Sequence, residues 1–339
     1  MTVKLTRPLF AAPIALVAAL ALASCATAGD AGTDAAEETT DATVSFSWDR
    51  NVAGEDEDPE YEATTVEVPV NPETIVVFDM ASLDTIGALG GEIAGAPLDN
   101  VPDYLEGYLA DDAFNAGTLF EADLIEIEAQ QPDLIVIGGR SSGLWEDLNE
   151  IAPTVDLSPA GTFEEGLETS VTFFGEVLGA EDEAAAALDE LEAGIAEAKD
   201  ATASVENGLG VMVTGGELRA LSPANGEGGR GLRGGLIYDV FGVTPVVEDI
   251  ESATHGEPVS FEFLLEYDPE TLWVIDRDAA TGAEDAQPAA EVLDNEIVQQ
   301  TTAYQDDQII YLDPVAWYIV FGGIDTTQLM IDDVLAIAE

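Results

Sequence analysis

Three stretches of this chain repeat one design: a proline, an acidic residue, a short apolar run, and a glycine or aspartate at its end. They are Pro72–Asp79 (PETIVVFD), Pro132–Gly139 (PDLIVIGG) and Pro269–Asp276 (PETLWVID). The proline stops a preceding helix. An unbroken run of β-branched and large apolar residues reads as a strand buried on both faces. Further strands are expected at Glu92–Ala96, Thr154–Leu157, Gly210–Thr214 and Gln308–Leu312, with helical periodicity between them. Strands alternating with helices predict an α/β fold. In the second and third copies an arginine stands eight residues after the proline, Arg140 and Arg277. Ligands of open α/β sheets bind beyond the carboxyl ends of the strands. Two copies in different halves therefore predict two similar lobes, each presenting an arginine to a shared cleft.

Between the halves, Glu181–Lys199 places Ala184, Leu188, Leu191, Ile195 and Ala198 on one helical face. Gly179 is the expected cap of the helix before it, and an acidic first turn with a late lysine suits the helix dipole. A helix of this length spans ~28 Å at ~1.5 Å per residue, enough to bridge two lobes. The expected organisation is a first lobe over 59–180, a bridging helix over 181–200 and a second lobe over 201–339.

The amino terminus carries Lys4 and Arg7, then an apolar run from Leu9 to Leu22. This is the charged and apolar pattern of an export signal over 1–24, too short for a membrane span. It ends in Leu22-Ala23-Ser24-Cys25, which resembles the lipobox read by lipoprotein signal peptidase; an ordinary secretory signal is the alternative. Cys25, the single cysteine, is thus the expected lipidation site and excludes an internal disulfide. Residues 25–58, rich in Ala, Thr, Gly, Asp and Glu, read as a flexible acidic tether, with one early strand at Thr43–Trp48. The location implied is the outer face of a cell membrane.

The chain has 69 acidic residues against 9 basic, a formal net charge of −60. Nucleic acids and anionic lipid surfaces are excluded as partners by that charge. Each cation is then informative. Beyond Lys4, Arg7 and Lys199 there remain Arg50, Arg140, Arg219, Arg230, Arg233 and Arg277. Arg50 falls in the tether and Arg219 reads as a hairpin surface residue; neither is given a role.

At this point the chain resembles the substrate-binding lipoproteins of iron–siderophore ABC importers, in particular the catecholate-binding group. The resemblance runs from about Glu67 to Leu335. It rests on VVFDMASLDTIGALG (77–91), PDLIVIGGRSS (132–142), LRGGLIYDVFGV (232–243), THGEPVSFEFLLEYDPETLWVIDR (254–277) and YQDDQIIYLDPVAWYIVFGG (304–323), in that order. It implies two α/β lobes joined by one long helix, a ferric siderophore in the cleft, and no catalysis or intrinsic cofactor. It also implies three arginines on the anionic chelate, matched here by Arg140, Arg233 and Arg277, with Arg230 as the competitor of Arg233. Some members supply a histidine and a tyrosine to iron when the siderophore is tetradentate. The matching residues are His255 and Tyr318, with Tyr311 as a competitor. Glu126 and Glu262 are the candidates for contacts with the permease, and a monomer is expected.

Elementary chemistry supports the match. Guanidinium groups are planar, permanently charged donors suited to the oxygens of an anionic ferric catecholate. Tyrosinate and imidazole both suit iron. The sequence departs from the family where Ser141 and Ser142 follow Arg140, and where Val320 and Phe321 follow the WY pair. Haem, a corrinoid or a hydroxamate siderophore stays open as ligand. A surface-tethered hydrolase is the alternative from another class, although one histidine excludes an HExxH zinc site, and neither a G-x-S-x-G elbow nor a phosphate-binding Walker loop occurs.

Overall fold

A computed structural model describes residues 42–53, 60–223, 232–251, 253–283 and 286–338. Cys25, the export signal and Arg230 lie outside the described residues. The element order is β1 (Thr43–Asn51), β2 (Tyr61–Pro69), β3 (Ile75–Val77), α1 (Met80–Ala88), β4 (Ile93–Ala96), β5 (Leu109–Asn115), α2 (Leu124–Gln130), β6 (Leu134–Ile137), α3 (Trp145–Asn149), β7 (Thr154–Asp156), α4 (Phe163–Leu178) and α5 (Glu181–Thr202). Then follow β8 (Gly208–Thr214), β9 (Glu217–Ala220), α6 (Leu232–Gly235), β10 (Glu257–Val259), α7 (Phe261–Tyr267), β11 (Thr271–Asp276), α8 (Arg277–Thr281), α9 (Ala289–Leu293), α10 (Thr302–Gln305), β12 (Ile309–Tyr311) and α11 (Ile324–Leu335).

Each half builds one five-stranded sheet. The first has the order β5-β4-β3-β6-β7 and is parallel throughout. The second has the order β10-β9-β8-β11-β12, in which β8, β11 and β12 run parallel and β9 is antiparallel to both neighbours. The three proline-led runs are β3, β6 and β11, central strands buried as their apolar runs predict.

One face of each sheet has its own core: Val76, Phe78, Ile135 and Ile137 against Ile127 and Leu148 in the first lobe, and Leu209, Val211, Leu272 and Val274 against Leu264, Leu293 and Val298 in the second. The other faces contribute to a single continuous core. Ile75, Val77 and Val136 from the first sheet and Met212, Trp273 and Ile275 from the second join side chains of α1, α4, α5 and α11 there. The lobes are thus fused beneath the cleft by packed side chains, not only by one connecting helix.

The bridging helix forms and runs three residues past Lys199. Ala184, Leu191, Ile195 and Ala198 are buried, while Leu188 is only half-buried. Gly179 adopts the left-handed conformation (φ 63°) that closes α4, a position where a side chain would be strained. Among the described residues, no helix is long and apolar enough to cross a membrane.

The tether expected over 25–58 needs correction. Thr43–Asn51 is a full strand, paired antiparallel with Tyr61–Pro69 in a separate two-stranded ribbon. Its alternate residues Val44, Phe46 and Trp48 turn inward. Phe46 stacks on Phe173 with ring centroids 4.6 Å apart, and Trp48 meets Trp145 edge-on at 6.1 Å. Arg50 belongs to this latch: its guanidinium lies 4.4 Å over the Trp145 ring and 3.3 Å from Glu146. A period-two apolar pattern inside a polar stretch is the physical cause.

Candidate functional site

The carboxyl edges of the two sheets hold the arginines. Arg140 follows β6 in a tight turn over Gly139–Leu144, which Ser141 ties down by accepting from the Gly138 N–H at 3.1 Å. Ser142 donates to the Gly139 carbonyl, so both serines brace the turn. Arg277 opens α8 directly after β11, with Asp276 capping the helix by accepting from Ala279 N–H at 3.0 Å. Arg233 lies in α6, just before a π turn at Leu236–Val240. Tyr318 lies in a second π turn, Ala316–Val320. Such widened turns are frequent at functional sites.

All three arginines converge on Tyr318. Arg140, from the first lobe, donates to the carbonyls of Tyr318 (3.0 Å) and Ile319 (3.1 Å) in the second. Arg233 donates to the same Tyr318 carbonyl (3.1 Å) and to that of Thr254 (3.1 Å), with its guanidinium 4.1 Å over the Tyr318 ring. Arg277 Nε donates to Tyr318 Oη at 2.7 Å, and its Nη1 reaches Thr214 Oγ1 at 3.2 Å. His255 Nε2 lies 3.1 Å from Tyr318 Oη. The five residues expected to serve the ligand therefore form one cluster across both lobes. Phe321, held at φ 39°, lies 5.4 Å below both Arg140 and Arg233 and fixes the floor of the cluster.

Crowding of a buried arginine between two half-buried ones has electrostatic consequences. Burial, with Arg140 and Arg277 adding to it, pushes Arg233 down to about 10, so it stays a cation at neutral pH. Burial also lowers Arg140, against the opposing pull of Tyr318 and Asp79. His255 is lowered by burial and then by Arg233, Arg277, Arg219 and Arg140, which keeps the imidazole neutral and able to act as a ligand. Asp79, the side-chain cap of α1, is raised by burial, and its charge acts favourably on Arg140. Sequence reasoning missed Asp79 and Thr214, because each acquires its role only through the fold; it marked Phe321 only as a departure from the family, without its place under the arginines.

The competitors stand elsewhere. Tyr311 is exposed at the end of β12, away from the cluster. Arg219 lies on β9, half-buried, 3.8 Å from Glu217, with its charge felt at His255, so it is more than a surface residue. Glu262 is exposed in the first turn of α7; Glu126 is half-buried in α2 and accepts from Gln130 at 2.7 Å.

Behind Tyr318 the lobes are clasped. Asp84 of α1 caps the start of α11, accepting from Asp325 N–H (2.9 Å), Thr326 N–H (2.7 Å) and Thr326 Oγ1 (2.5 Å). Tyr104 meets Thr326 Oγ1 at 2.8 Å, and Tyr108 donates to Asp325. Gly323 permits this approach: at φ 83°, a Cβ there would lie 2.6 Å from Asp84. Burial raises Asp84 to about 6 in spite of its donors.

The periplasmic binding protein family model matches residues 75–316, which contain both five-stranded sheets together with Arg140, Arg233, His255 and Arg277 and end two residues before Tyr318. The chain belongs to the periplasmic binding protein family. Within it, the chain is 32% identical over 327 residues to the petrobactin-binding protein YclQ of Bacillus subtilis (strain 168), covering 95% of this chain and 96% of YclQ. A TroA-like periplasmic binding protein from Xylanimonas cellulosilytica, of known structure, shares 72% identity with a TM-score of 0.85, over 88% of this chain and 99% of that one. The periplasmic catecholate-siderophore binding protein VctP from Vibrio cholerae shares 31% identity with a TM-score of 0.72, over 80% and 96% of the two chains. The family's two-lobed α/β architecture is the one described above, and these relatives are binding proteins.

Proposed function

We propose that this protein captures a ferric siderophore of the catecholate class outside the cytoplasm and delivers it to the permease of an ABC importer. The observation that carries the reading is the convergence of Arg140, Arg233, Arg277 and His255 on Tyr318. Three permanent cations in a chain of net charge −60 form a local attractor for an anionic chelate. The forks of Arg140 and Arg233 rest on carbonyl oxygens and that of Arg277 on two hydroxyls; charged catecholate oxygens are stronger acceptors that can replace these neutral ones. The relatives that bind petrobactin and catecholate siderophores support the ligand class.

Tyr318 Oη and His255 Nε2 suit the two positions that a tetradentate siderophore leaves open on iron. Ligands at right angles on an octahedral ion, each ~2.1 Å from it, stand ~3 Å apart, and these atoms are 3.1 Å apart. Arg277 Nε donates to the same Oη at 2.7 Å and holds it in place. Delivery is served by a lipid at Cys25, which keeps a monomeric carrier at the outer face of the membrane. Glu262 and Glu126 are offered as permease contacts.

The test is quenching of tryptophan fluorescence by ferric tetradentate and hexadentate catecholates, with a neutral ferric hydroxamate as comparator. Saturable quenching by the catecholates and weak binding of the hydroxamate are expected. Tight hydroxamate binding without any catecholate response would overturn the reading.

A further inference from the structure

The internal repeat that places Arg140 and Arg277 extends upstream into the helices before them. Residues 123–140 and 260–277 are related by a constant shift of 137 positions. Asp123 and Ser260 precede the helices α2 and α7; Gln131 and Asp268 end them in the left-handed conformation, at φ 52° and 45°. Pro132 and Pro269 follow, then the two strands, then the two arginines. Exposure matches position by position through both helices: half-buried, exposed, half-buried, buried, then exposed to the cap. The residue equivalent to Glu262 is therefore Ile125, whereas Glu126 corresponds to Phe263.

Ile125 is 84% exposed, the most exposed of the large apolar side chains among the described residues. Phe120, 64% exposed, stands at the same end of the lobe. Its exposure is built in. It sits in a closed turn in which Thr118 N–H donates to the Glu121 carbonyl at 2.8 Å and Thr118 Oγ1 accepts from Phe120 and Glu121 N–H, while Asp123 N–H donates to the Ala116 carbonyl at 2.8 Å. A turn fastened at four points thus holds the Phe120 ring 64% exposed.

Position identifies the occupant. The Phe120 turn joins the carboxyl end of β5 to the start of α2, and Glu262 follows the end of β10; both lie at the carboxyl edges that carry Arg140 and Arg277. They flank, one on each lobe, the edges from which Arg140 and Arg277 reach Tyr318. A partner that receives a ligand from that cluster must approach these edges. A second copy of the chain is disfavoured by the repulsion of two bodies of net charge −60.

We propose that the two lobes dock on the permease asymmetrically: Glu262 on a cation, and Ile125 with Phe120 in an apolar socket. The acidic residues Glu121, Asp123, Glu126 and Glu128 around the apolar pair call for a basic rim on that socket, and Glu126 serves in this rim. This rests on the reading of the chain as a carrier for an ABC importer. It deepens that reading by assigning the chemistry of each contact.

The experiment measures binding of the full protein, loaded with a ferric tetradentate catecholate, to its importer's permease and ATPase complex in nanodiscs. Ile125→Ser and Phe120→Ser are each expected to weaken docking tenfold or more, at low and high salt alike, because burial of apolar surface is little screened. Glu262→Gln is expected to weaken docking at low salt only, and Glu126→Gln to change it less than twofold. Ile125→Glu docking as well as the parent would overturn the proposal, since the permease would then offer a cation to both lobes. Unchanged docking of Ile125→Ser, or no docking of the parent while catecholate binding is intact, would overturn it too. So would self-association of the parent that Ile125→Ser abolishes, which assigns the patch to a second copy. Catecholate titration of every variant separates the two readings: loss of ligand binding alone would sink the ligand assignment and leave the docking surface standing.

Discussion

Replacing Tyr318 by Phe removes one oxygen from the centre of the cluster and leaves the buried ring in place. That oxygen accepts from Arg277 Nε at 2.7 Å, while Nη1 of the same arginine keeps Thr214. If Oη completes the coordination of a tetradentate ferric catecholate, its loss costs at least as much as a hydrogen bond to a charged group, ~1.5–3 kcal/mol. That weakens binding ~10–150-fold. A hexadentate catecholate fills all six positions itself, so the same change removes only an ordinary contact, ~0.5–1.5 kcal/mol. The expected result is a selective loss for the tetradentate ligand, read by fluorescence titration at neutral pH, with a shift of its charge-transfer band that disappears in the variant. Equal losses for both ligands, with unaltered visible spectra, would refute direct ligation and reduce Tyr318 to a platform for the arginines.

Other consequences are open to measurement. Arg277→Ala should weaken catecholate binding by more than ~1.5 kcal/mol, and Arg277→Lys should recover only part of it for want of the planar fork; an unchanged Kd for the alanine variant removes Arg277 from the site. Because burial and the arginines hold His255 below its ordinary pKa of 6.5, tetradentate affinity should stay level from pH 8 to 6.5. It should then fall at lower pH as the imidazole protonates, and His255→Ala should lack that additional fall when both are titrated with the same ligand. Asp84, raised from 3.8 to about 6, binds a proton more readily in the folded than in the unfolded chain. Its contribution to stability therefore declines as pH rises through that window, by ~3 kcal/mol in total. Denaturant midpoints of the parent and Asp84→Asn at pH 4.5 and 7.5 should differ in that sense; a difference of opposite sign would mean that the donors of α11 outweigh burial.

The legible parts of the chain were those whose signal is local. All seven strands expected from apolar runs are present: β3, β4, β6, β8 and β11 are inner strands, covered on both faces and therefore apolar, while β7 and β12 lie at sheet edges and showed through their own short apolar runs. The strands that went unread were β2, β5, β9 and β10. Residues Leu109–Asn115 carry two aspartates, and Glu257–Val259 contains a proline. Both lie at sheet edges, where pairing on one side tolerates polar residues and proline. Arg50 was misplaced for a related reason: its partners Trp145 and Glu146 are about a hundred residues away, and only the docking of β1 brings them together. The choice of Arg233, His255 and Tyr318 came from resemblance to a family and not from spacing.

The repeated proline-led strands, with an arginine after two of them, determined by themselves a two-lobed α/β protein with cations at the carboxyl edges, because strand burial and helix termination are written in neighbouring residues. The sequence could not say that these cations share one tyrosine. That depends on two π turns, a left-handed Phe321 and the clasp of Asp84 on α11, with which Arg140 and Tyr318, 178 positions apart, come within hydrogen-bond reach. The shift of 137 that pairs Ile125 with Glu262 is readable from the prolines and arginines, but only the matching exposure of α2 and α7 shows that it holds through the helices and leaves Ile125 in solvent. Local chemistry specified the parts, and long-range packing decided which of them meet.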